Sequence, residues 1–241
     1  MKGKGVFITG TDTGVGKTFV TAAIARFLRD RGMRVGVMMP VTSGCVMVGG
    51  KLVSEDAELL KCASSCTAPD ADIAPYLLKA PLAPSIAAAQ EGVQIRFDTI
   101  LQAYRRLEAG HDFVLVEGAG GLLAPLTEKQ FIADLCLSLQ LPLLVVARPN
   151  LGTVNHTLLT CFCAKKLGIE VAGIIINQYP ENPGPAETYA PEMIAALSGS
   201  PVLGTLPQVE GNNETIMVEN LVEALKRGPL SNSLIKELAI A

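Results

Sequence analysis

The sequence predicts an α/β fold in which a mostly parallel β-sheet has helices on both faces. Short apolar segments alternate with longer amphipathic segments from one end of the chain to the other, as in repeated β-α units. The most apolar segments, residues 141–147 and 171–176, are typical of strands buried on both faces of a parallel sheet. No linker, repeat or block of charges divides the 241 residues, so we expect a single domain over residues 1–241.

The predicted strands are short apolar segments that end where a glycine, a proline or a polar residue stands. The first, residues 6–9, is followed by Gly10, and the second, residues 35–39, is followed by a proline. The third, residues 113–117, ends in Glu117 before a run of glycines. The next strands in chain order are residues 143–147, 171–177 and 202–206.

The predicted helices lie between these strands and have apolar residues at intervals of three or four. Residues 17–31 form the first helix, which stops at Gly32, and Ser54 suits the N-cap of a second helix at residues 55–63. The other helices are predicted at residues 84–90, 98–109, 129–139, 154–167 and 215–226, with one more that follows the loop at 180–185 and ends at residue 197.

The composition predicts a cytoplasmic globular protein that binds neither nucleic acid nor a membrane. Hydrophobic residues make up 49% of the chain and charged residues 18%, which is enough apolar side chain for a large core. A net charge of −3 supplies no general field for nucleic acid or anionic lipid. No apolar stretch approaches the roughly 18–20 residues of a membrane-spanning helix. The six cysteines form no CxxC pair and the only histidines are His111 and His156, which argues against a zinc site.

A glycine-rich segment between the first strand and the first helix is typical of a phosphate-binding loop. Its sequence is Gly-Thr-Asp-Thr-Gly-Val-Gly-Lys-Thr over residues 10–18. Gly14 and Gly16 allow successive backbone N–H groups to point at phosphate oxygens, and the helix N-terminus adds a partial positive charge. Lys17 suits the β- and γ-phosphates, and the Thr18 hydroxyl suits Mg²⁺. The spacing from Gly10 is one residue longer than the common pattern, so the segment predicts a variant P-loop NTPase that binds ATP or GTP.

Two acidic positions are candidates for a magnesium site beside this loop. Glu117 ends an apolar strand before glycines, where P-loop proteins place a second acidic group, although a solvated turn carboxylate is the alternative. Asp56 and Glu55 follow Ser54 at a predicted helix start. There they also fit a simple interaction with the helix dipole, so the pattern alone leaves their role open.

In combination, these motifs resemble those of dethiobiotin synthetases. The resemblance rests on the phosphate loop, on Glu-Gly-Ala-Gly-Gly at residues 117–121, and on further segments over nearly the whole chain. These segments are Pro-Val-Thr-Ser-Gly (40–44), Ser-Glu-Asp (54–56), Ala-Pro-Leu-Ala-Pro (80–84), Ala-Gln-Glu-Gly (89–92), Leu-Gly-Thr-Val-Asn-His (151–156), Ala-Gly-Ile-Ile-Ile-Asn (172–177) and Gly-Thr-Leu-Pro (204–207).

The resemblance implies a homodimeric ligase of biotin biosynthesis that closes a ureido ring. Its substrates would be 7,8-diaminononanoate, CO₂ or bicarbonate, and ATP with Mg²⁺. An amine of the diamine would take up CO₂ as a carbamate, and a carbamate oxygen would attack the γ-phosphate. The second amine would then displace phosphate from the carbamic-phosphoric anhydride. The protein would contribute mainly positioning and charge neutralisation.

The resemblance also implies roles for individual residues. Lys17 would act on the transferred phosphoryl group, and Ser43 would hydrogen-bond the carbamate. The metal ligands would be Thr18, Asp56 and Glu117. The nucleotide would contact Gly14, Val15, Gly16, Lys17, Thr18, Phe19, Asp56, Glu117, Gly118, Ala119, Gly120, Asn177, Gln178, Pro207, Gln208, Val209 and Glu214, with Glu210 as the competing register for Glu214. The diamine would contact Thr13, Ser43, Gly152, Thr153 and Asn155, the last three accepting its carboxylate from the neighbouring subunit.

The chain departs from the family pattern at two positions. A lysine regarded as catalytic directly precedes the Pro-Val-x-Ser-Gly run in the family, whereas this chain has Met39, which offers neither a charge nor a donor. Loss of that cation predicts a reaction slower by about 10²–10⁴, unless another group such as Lys51 takes its place. Ser85 stands where a histidine is common, which leaves any substrate contact there open.

Three other functions are open at this point. Cobyrinate-type amide synthases share the phosphate loop and Glu-Gly-Ala-Gly-Gly, but they add a glutaminase domain for which 241 residues leave no room. A partition or septum-positioning ATPase would have a signature lysine five residues before Lys17, where this chain has Asp12. The third function is that of a relative that binds nucleotide without closing the ring, which Met39 alone suggests. His156 fits a residue of a helix start without a role of its own.

Overall fold

A six-stranded, fully parallel sheet forms the centre of the computed structural model, which describes residues 4–211, 213–238 and 240. The strands in chain order are β1 (Gly5–Gly10), β2 (Val35–Met38), β3 (Val41–Thr42), β4 (Val46–Val48), β5 (Lys51–Val53), β6 (Tyr76–Leu77), β7 (Phe113–Gly121), β8 (Leu143–Ala147), β9 (Val171–Tyr179) and β10 (Val202–Pro207). The order across the central sheet is β10-β9-β8-β1-β7-β2. The predicted α/β fold with a mostly parallel sheet is therefore confirmed.

The helices pack around this sheet in two groups. They are α1 (Lys17–Asp30), α2 (Glu55–Ser64), α3 (Asp70–Ile73), α4 (Pro84–Glu91), α5 (Phe97–Gly110), α6 (Ile132–Leu139), α7 (Thr153–Lys166), α8 (Pro185–Ser198), α9 (Glu214–Arg227) and α10 (Leu230–Glu237). Helix α1 packs against α2 and α9, whereas α7 packs against α8. In the central sheet β2 and β7, which follow β1 in the chain, lie on one side of β1, whereas β8, β9 and β10 are added one after another on the other side. Right-handed crossovers in opposite directions place α1 and α7 on opposite faces.

The strand order reverses beside β1, and this positions the functional site. β1 pairs with β7 on one side and β8 on the other, with Ile8 opposite Glu117 and opposite Leu144. All residues of β1 and β8 are buried, as expected of interior strands covered on both faces. Loops that leave adjacent parallel strands in opposite directions open a crevice at their carboxyl ends, where α/β proteins bind ligands.

Four features of the fold were not predicted. Residues 46–53 form a hairpin of β4 and β5 that turns at Gly49 and Gly50. The hairpin was missed because it does not follow the rule that apolar segments are buried, since its apolar residue Met47 is exposed. β3 and β6 have only two residues each, and α3 has four, which is too short for a periodic pattern. The C-terminal helix α10 was also missed. Several predicted bounds were off by one to four residues. The largest differences are at α6, which begins at Ile132 rather than 129 because Asp134 accepts the N–H of Phe131 and caps the helix there, and at β7, which continues to Gly121.

The longest helices in the described ranges have 14 residues. Among those described residues, no helix combines the length and the hydropathy needed to cross a membrane.

Candidate active site

The loop between β1 and α1 has the shape that the glycine pattern predicted. Gly14 and Gly16 have φ angles of 75° and 83°, in the left-handed region that other residues seldom adopt. A Cβ at Gly16 would also collide with the side-chain amide of Asn177. The loop then enters α1, whose first N–H groups have no partner within the helix. These N–H groups and the helix dipole form a site for an anion.

Two side chains from the end of β9 hold the loop in place. Asn177 is 3% exposed and its Nδ2 donates to the carbonyl of Val15 at 3.0 Å. The Nε2 of Gln178 lies 3.5 Å from the carbonyl of Gly14. The loop uses one of the two Nδ2 hydrogens of Asn177, which leaves its Oδ1 acceptor and its second N–H for a ligand.

The structure brings Lys17, Thr18 and Glu117 together, as predicted, and places Asp56 beside them. Lys17 and Glu117 are 8% and 2% exposed. The Thr18 hydroxyl donates to Glu117 Oε1 at 2.9 Å, whereas Glu117 Oε2 is buried without a partner among the described residues. Ser54 caps α2 by accepting the N–H of Ala57, which confirms the predicted cap and fixes Asp56 in the first turn.

Burial controls the charges in this cluster. It raises the pKa of Glu117 to about 7, and the attraction of Lys17 offsets only part of this effect. Burial also raises the pKa of Asp56, against the opposing attraction of Lys17. Burial lowers the pKa of Lys17, although Glu117, Asp56 and Asp12 all favour its charged form. The cluster thus combines a buried cation with carboxylates that are poorly solvated, and it is suited to a further cation and an anion.

These residues fit a bound magnesium ion. Mg²⁺ takes oxygen ligands and is usually held by one or two carboxylates together with phosphate oxygens. A hydroxyl at Thr18 and carboxylates at Asp56 and Glu117 supply that donor set. The unpartnered Oε2 of Glu117, buried in the protein, is the kind of group that a metal ion satisfies.

A cavity of about 540 Å³ lies next to the loop, on the β9 and β10 side. Its lining includes seven residues from the predicted nucleotide site, namely Gly16, Phe19, Asn177, Gln178, Pro207, Gln208 and Val209. It also includes residues that the sequence analysis missed, namely Pro149, Asn150, Pro180, Glu187, Met217 and Leu221. The apolar face of α9 was the only available signal for Met217 and Leu221. The cavity is suited to a planar base beside the phosphate loop.

Neither acidic candidate on the segment after β10 lines this cavity. Glu214 is the first residue of α9 and lines a separate cavity of about 430 Å³, together with Glu55 and Glu58. Glu210 is exposed. The structure therefore does not bring Glu214 together with the other predicted nucleotide residues.

The glycines after Glu117 lie against the start of the phosphate loop. A Cβ at Gly120 would lie 3.8 Å from Thr13 Oγ1, so these two predicted residues face each other. A Cβ at Gly118 would approach the side chains of Phe7 and Ile132 to 2.8 Å, so close packing requires a glycine there. Ala119 is partly buried against the core.

Met39 lies directly after β2 at the same edge of the sheet. Met38 pairs with Val116, so the parallel register places residue 39 next to Glu117. The Met39 side chain is 6% exposed, and its backbone N–H donates to the carbonyl of Ile73 at 2.7 Å. The sheet thus places a buried thioether where the family pattern has a lysine.

The other positions on the predicted substrate side lie in three places. Ser43 is exposed just after β3. Lys51 lines a cavity of about 350 Å³ with Lys61 and Asp70, and not the cavity beside the phosphate loop. Ser85 lines a cavity of about 720 Å³ between α4 and the 126–130 segment.

The 152–155 turn begins α7 as predicted. Gly152 has a φ of 99°, and Asn155 is exposed. Thr153 is 4% exposed and its hydroxyl has no partner among the described residues. Leu151, directly before the turn, is 91% exposed. The free N–H groups of this exposed helix start suit a carboxylate, whereas the Thr153 hydroxyl is buried beneath it.

Comparisons with known proteins show which families this chain is similar to. The family model described as "AAA domain" matches residues 4–215. An ATP-dependent dethiobiotin synthetase BioD of Bacillus licheniformis is 42% identical over 215 residues, which cover 88% of this chain and 89% of the relative. The BioD protein of Bacillus subtilis (strain 168) is 40% identical, with 89% and 92% covered. That of Anaeromyxobacter sp. (strain Fw109-5) is 45% identical over 206 residues, with 86% and 91% covered.

Solved structures with the same fold are more distant in sequence. A ParA family ATPase from Chlorobium tepidum TLS has a TM-score of 0.58 and 14% identity, with 99% of this chain and 98% of that chain covered. The septum site-determining protein MinD of Pyrococcus horikoshii OT3, complexed with Mg-ADP, has a TM-score of 0.56 and 18% identity, with 97% and 94% covered. At such identities the likeness shows a shared fold and nothing about the reaction.

Proposed function

We propose that this chain, which belongs to the AAA-domain family and to the ATP-dependent dethiobiotin synthetases, uses ATP to close the ureido ring of dethiobiotin. It is a ligase that forms C–N bonds. The observation that supports this most directly is the cluster of buried Lys17 and Glu117 with the partly buried Thr18, beside a loop shaped to bind phosphate. Such a cluster can bind a polyphosphate and stabilise charge that develops on a phosphoryl group.

The substrates we propose are 7,8-diaminononanoate, CO₂ and ATP. One amine of the diamine adds to CO₂ and loses a proton, giving a carbamate. A carbamate oxygen then attacks the γ-phosphorus, and the bond to ADP breaks. The second amine attacks the carbamate carbon, loses a proton and expels inorganic phosphate, which closes the ring. Each step needs the reacting atoms held in line and the growing negative charge neutralised.

In this proposal Lys17 and the phosphate loop neutralise the negative charge that grows during the reaction. The loop N–H groups and the start of α1 bind the β- and γ-phosphates, and the Lys17 ammonium contacts the transferred group. Ser43 hydrogen-bonds the carbamate, and Thr13 with Gly118 and Gly120 borders the phosphoryl and amine end. Because Lys17 and Glu117 are buried, water has poor access to the phosphoryl group on the side that faces them.

Thr18, Asp56 and Glu117 are the residues that would hold magnesium. When bound, Mg²⁺ neutralises charge on the β- and γ-phosphate oxygens. The carboxylate of Glu117 must be ionised to serve as a ligand, and the unpartnered Oε2 offers the free lone pairs.

The affinity of the protein for Mg²⁺ should therefore depend on pH through the ionisation of Glu117. Because burial raises the pKa of Glu117 to about 7, the metal-free protein binds a proton there below pH 7, and the metal must displace it. We expect Mg²⁺ affinity of the ADP-bound protein to fall by about tenfold per pH unit below 7 and to level off above it. Calorimetric titration with Mg²⁺ between pH 5.5 and 8.5 measures this. Glu117→Gln is the control for protonation of ADP itself, and the same slope in that variant would contradict the assignment.

The base of ATP occupies the cavity of about 540 Å³ in this proposal. Asn177 donates one Nδ2 hydrogen to the loop, and in this proposal its Oδ1 accepts an N–H of the exocyclic amino group of adenine. Pro207, Gln208 and Val209 enclose the base, whereas Glu214, which lines another cavity, makes no contact with it in this proposal.

We propose further that the protein is a homodimer and acts in the cytoplasm. The apolar side chains of Leu123, Leu159 and Phe162 are 54%, 58% and 62% exposed, and the first two line a cavity beside Gly10 and Asp12. An apolar surface this close to the loop suits a second copy whose 152–155 turn accepts the diamine carboxylate. Sedimentation equilibrium tests this, and a monomer at all concentrations would exclude a shared site. All six cysteines are free, which fits a reducing compartment.

The decisive experiment is phosphate release with MgATP and bicarbonate, measured with and without 7,8-diaminononanoate. We expect release that depends on the diamine and equals the dethiobiotin formed, as determined by mass spectrometry. Release that is the same without the diamine would exclude ring closure and leave an ATPase of another kind.

A further inference from the structure

Arg148 joins the phosphate loop to the segment that follows β8. It is the first residue after that strand, and its Nη2 donates to Asp12 Oδ2 at 3.0 Å and to the carbonyl of Thr13 at 3.1 Å. The next two residues, Pro149 and Asn150, line the cavity beside the loop. One guanidinium thus connects the first turn of the loop to a wall of that cavity.

The carboxylate of Asp12 lies in the phosphate loop, where a cationic partner is required to neutralise its charge. Its Oδ1 accepts the N–H of Thr13 at 2.7 Å, which fixes the carboxylate against the loop backbone. The carbonyl of Asp12 lies 3.5 Å from Lys17 Nζ, so residue 12 is close to the group that meets the phosphates. A carboxylate fixed there without a partner would repel a polyphosphate and would compete with it for the charge of Lys17.

We propose that Arg148 is a positioning residue for the nucleotide, which holds residues 12 and 13 of the phosphate loop in place and neutralises Asp12. The inference rests on the proposed function only in that the ligand is a nucleotide with a polyphosphate. It does not depend on the diamine or on ring closure. The guanidinium suits this task because its fixed donors can bond a carboxylate and a carbonyl together.

The ion pair of Arg148 with Asp12 contributes little to the stability of the fold, so its effect on nucleotide binding can be measured separately from its effect on stability. Arg148 and Asp12 have side chains that are 39% and 59% exposed, and pairs this exposed add little to stability. The pair Arg34–Asp112 is a matched control, at 68% and 42% exposed. It joins the starts of β2 and β7, at the edge of the sheet opposite the site.

The test measures MgADP and MgATP binding by calorimetry in the full chain, without diamine or bicarbonate. The variants are Arg148→Met, Arg148→Lys, Arg148→Met with Asp12→Asn, and Arg34→Met. We expect Arg148→Met to raise the Kd for both nucleotides about tenfold, which corresponds to one charge-assisted hydrogen bond. Arg148→Lys, which keeps the charge, should recover part of the affinity. Adding Asp12→Asn to Arg148→Met should recover most of it, because no unpaired carboxylate is then left.

The melting temperature separates this role from a structural one. Arg148→Met and Arg34→Met should lower it by similar small amounts, while only the former weakens nucleotide binding. The proposal is overturned if Arg148→Met binds nucleotide as the wild type does, if Arg34→Met weakens binding equally, or if Asp12→Asn restores nothing. A wild-type chain that binds neither nucleotide would overturn it together with the ATP assignment. Nucleotide binding without diamine-dependent phosphate release would reject only the ring closure.

Discussion

Replacing Lys17 by methionine should reduce diamine-dependent phosphate release by about 10³-fold or more, since a preorganised cation at the transferred phosphoryl group is lost. Lys17 is 8% exposed and lies beside Glu117 and Asp56. Methionine keeps the length and the apolar stem of the side chain, so the loss is that of the charge. The rate of phosphate release under saturating MgATP and diamine gives the effect on kcat.

Two comparisons make this result specific to the site. Lys226→Met removes a lysine that is 40% exposed and paired with Asp30 on the outside of α1, and it should leave the rate unchanged. Thermal unfolding of Lys17→Met should show a folded protein, because burial already disfavours the charged form of Lys17. Wild-type turnover by a folded Lys17→Met protein would mean that phosphoryl transfer takes place elsewhere.

The phosphate loop could be predicted from the sequence because its signal is local. Gly14, Gly16, Lys17 and Thr18 lie within five residues, and each needs only the strand before and the helix after to take its place. The sheet could be predicted for a similar reason, since strands buried on both faces are apolar throughout. The 46–53 hairpin could not, because the apolar residues of β4 are exposed and those of β5 are only half-buried.

Contacts between distant segments had no such signal. Arg148 and Asp12 are 136 positions apart, and an arginine after a strand has no pattern that indicates a partner. Asp56 is similar: a carboxylate at a helix start is common, and only the resemblance to dethiobiotin synthetases separated it from a dipole interaction. Glu214 shows the converse, because a resemblance assigned it to the nucleotide while the fold places it at another cavity.

Met39→Lys should raise diamine-dependent turnover by about 10²-fold, because it restores a cation beside the reacting phosphoryl group. The register of β2 with β7 places residue 39 next to Glu117, and the side chain there is 6% exposed. Lys51, the alternative considered from the sequence, does not take the place of this lysine, because it lines a different cavity. The KM for ATP should change little, since the loop and the base cavity stay as they are.

A buried lysine at position 39 is tolerable because Glu117 is its neighbour. An ammonium there favours the ionised carboxylate, so it should lower the pKa of Glu117 from about 7. The pH range over which Mg²⁺ affinity falls should then move to lower pH, and this readout is independent of turnover. Met39→Leu keeps the volume without a charge and should match the wild type in both measurements. If Met39→Lys folds, shifts the metal profile and yet turns over no faster than Met39→Leu, the chain does not need a cation at this position. Charge on the carbamate would then be neutralised by Lys17 and the loop N–H groups alone.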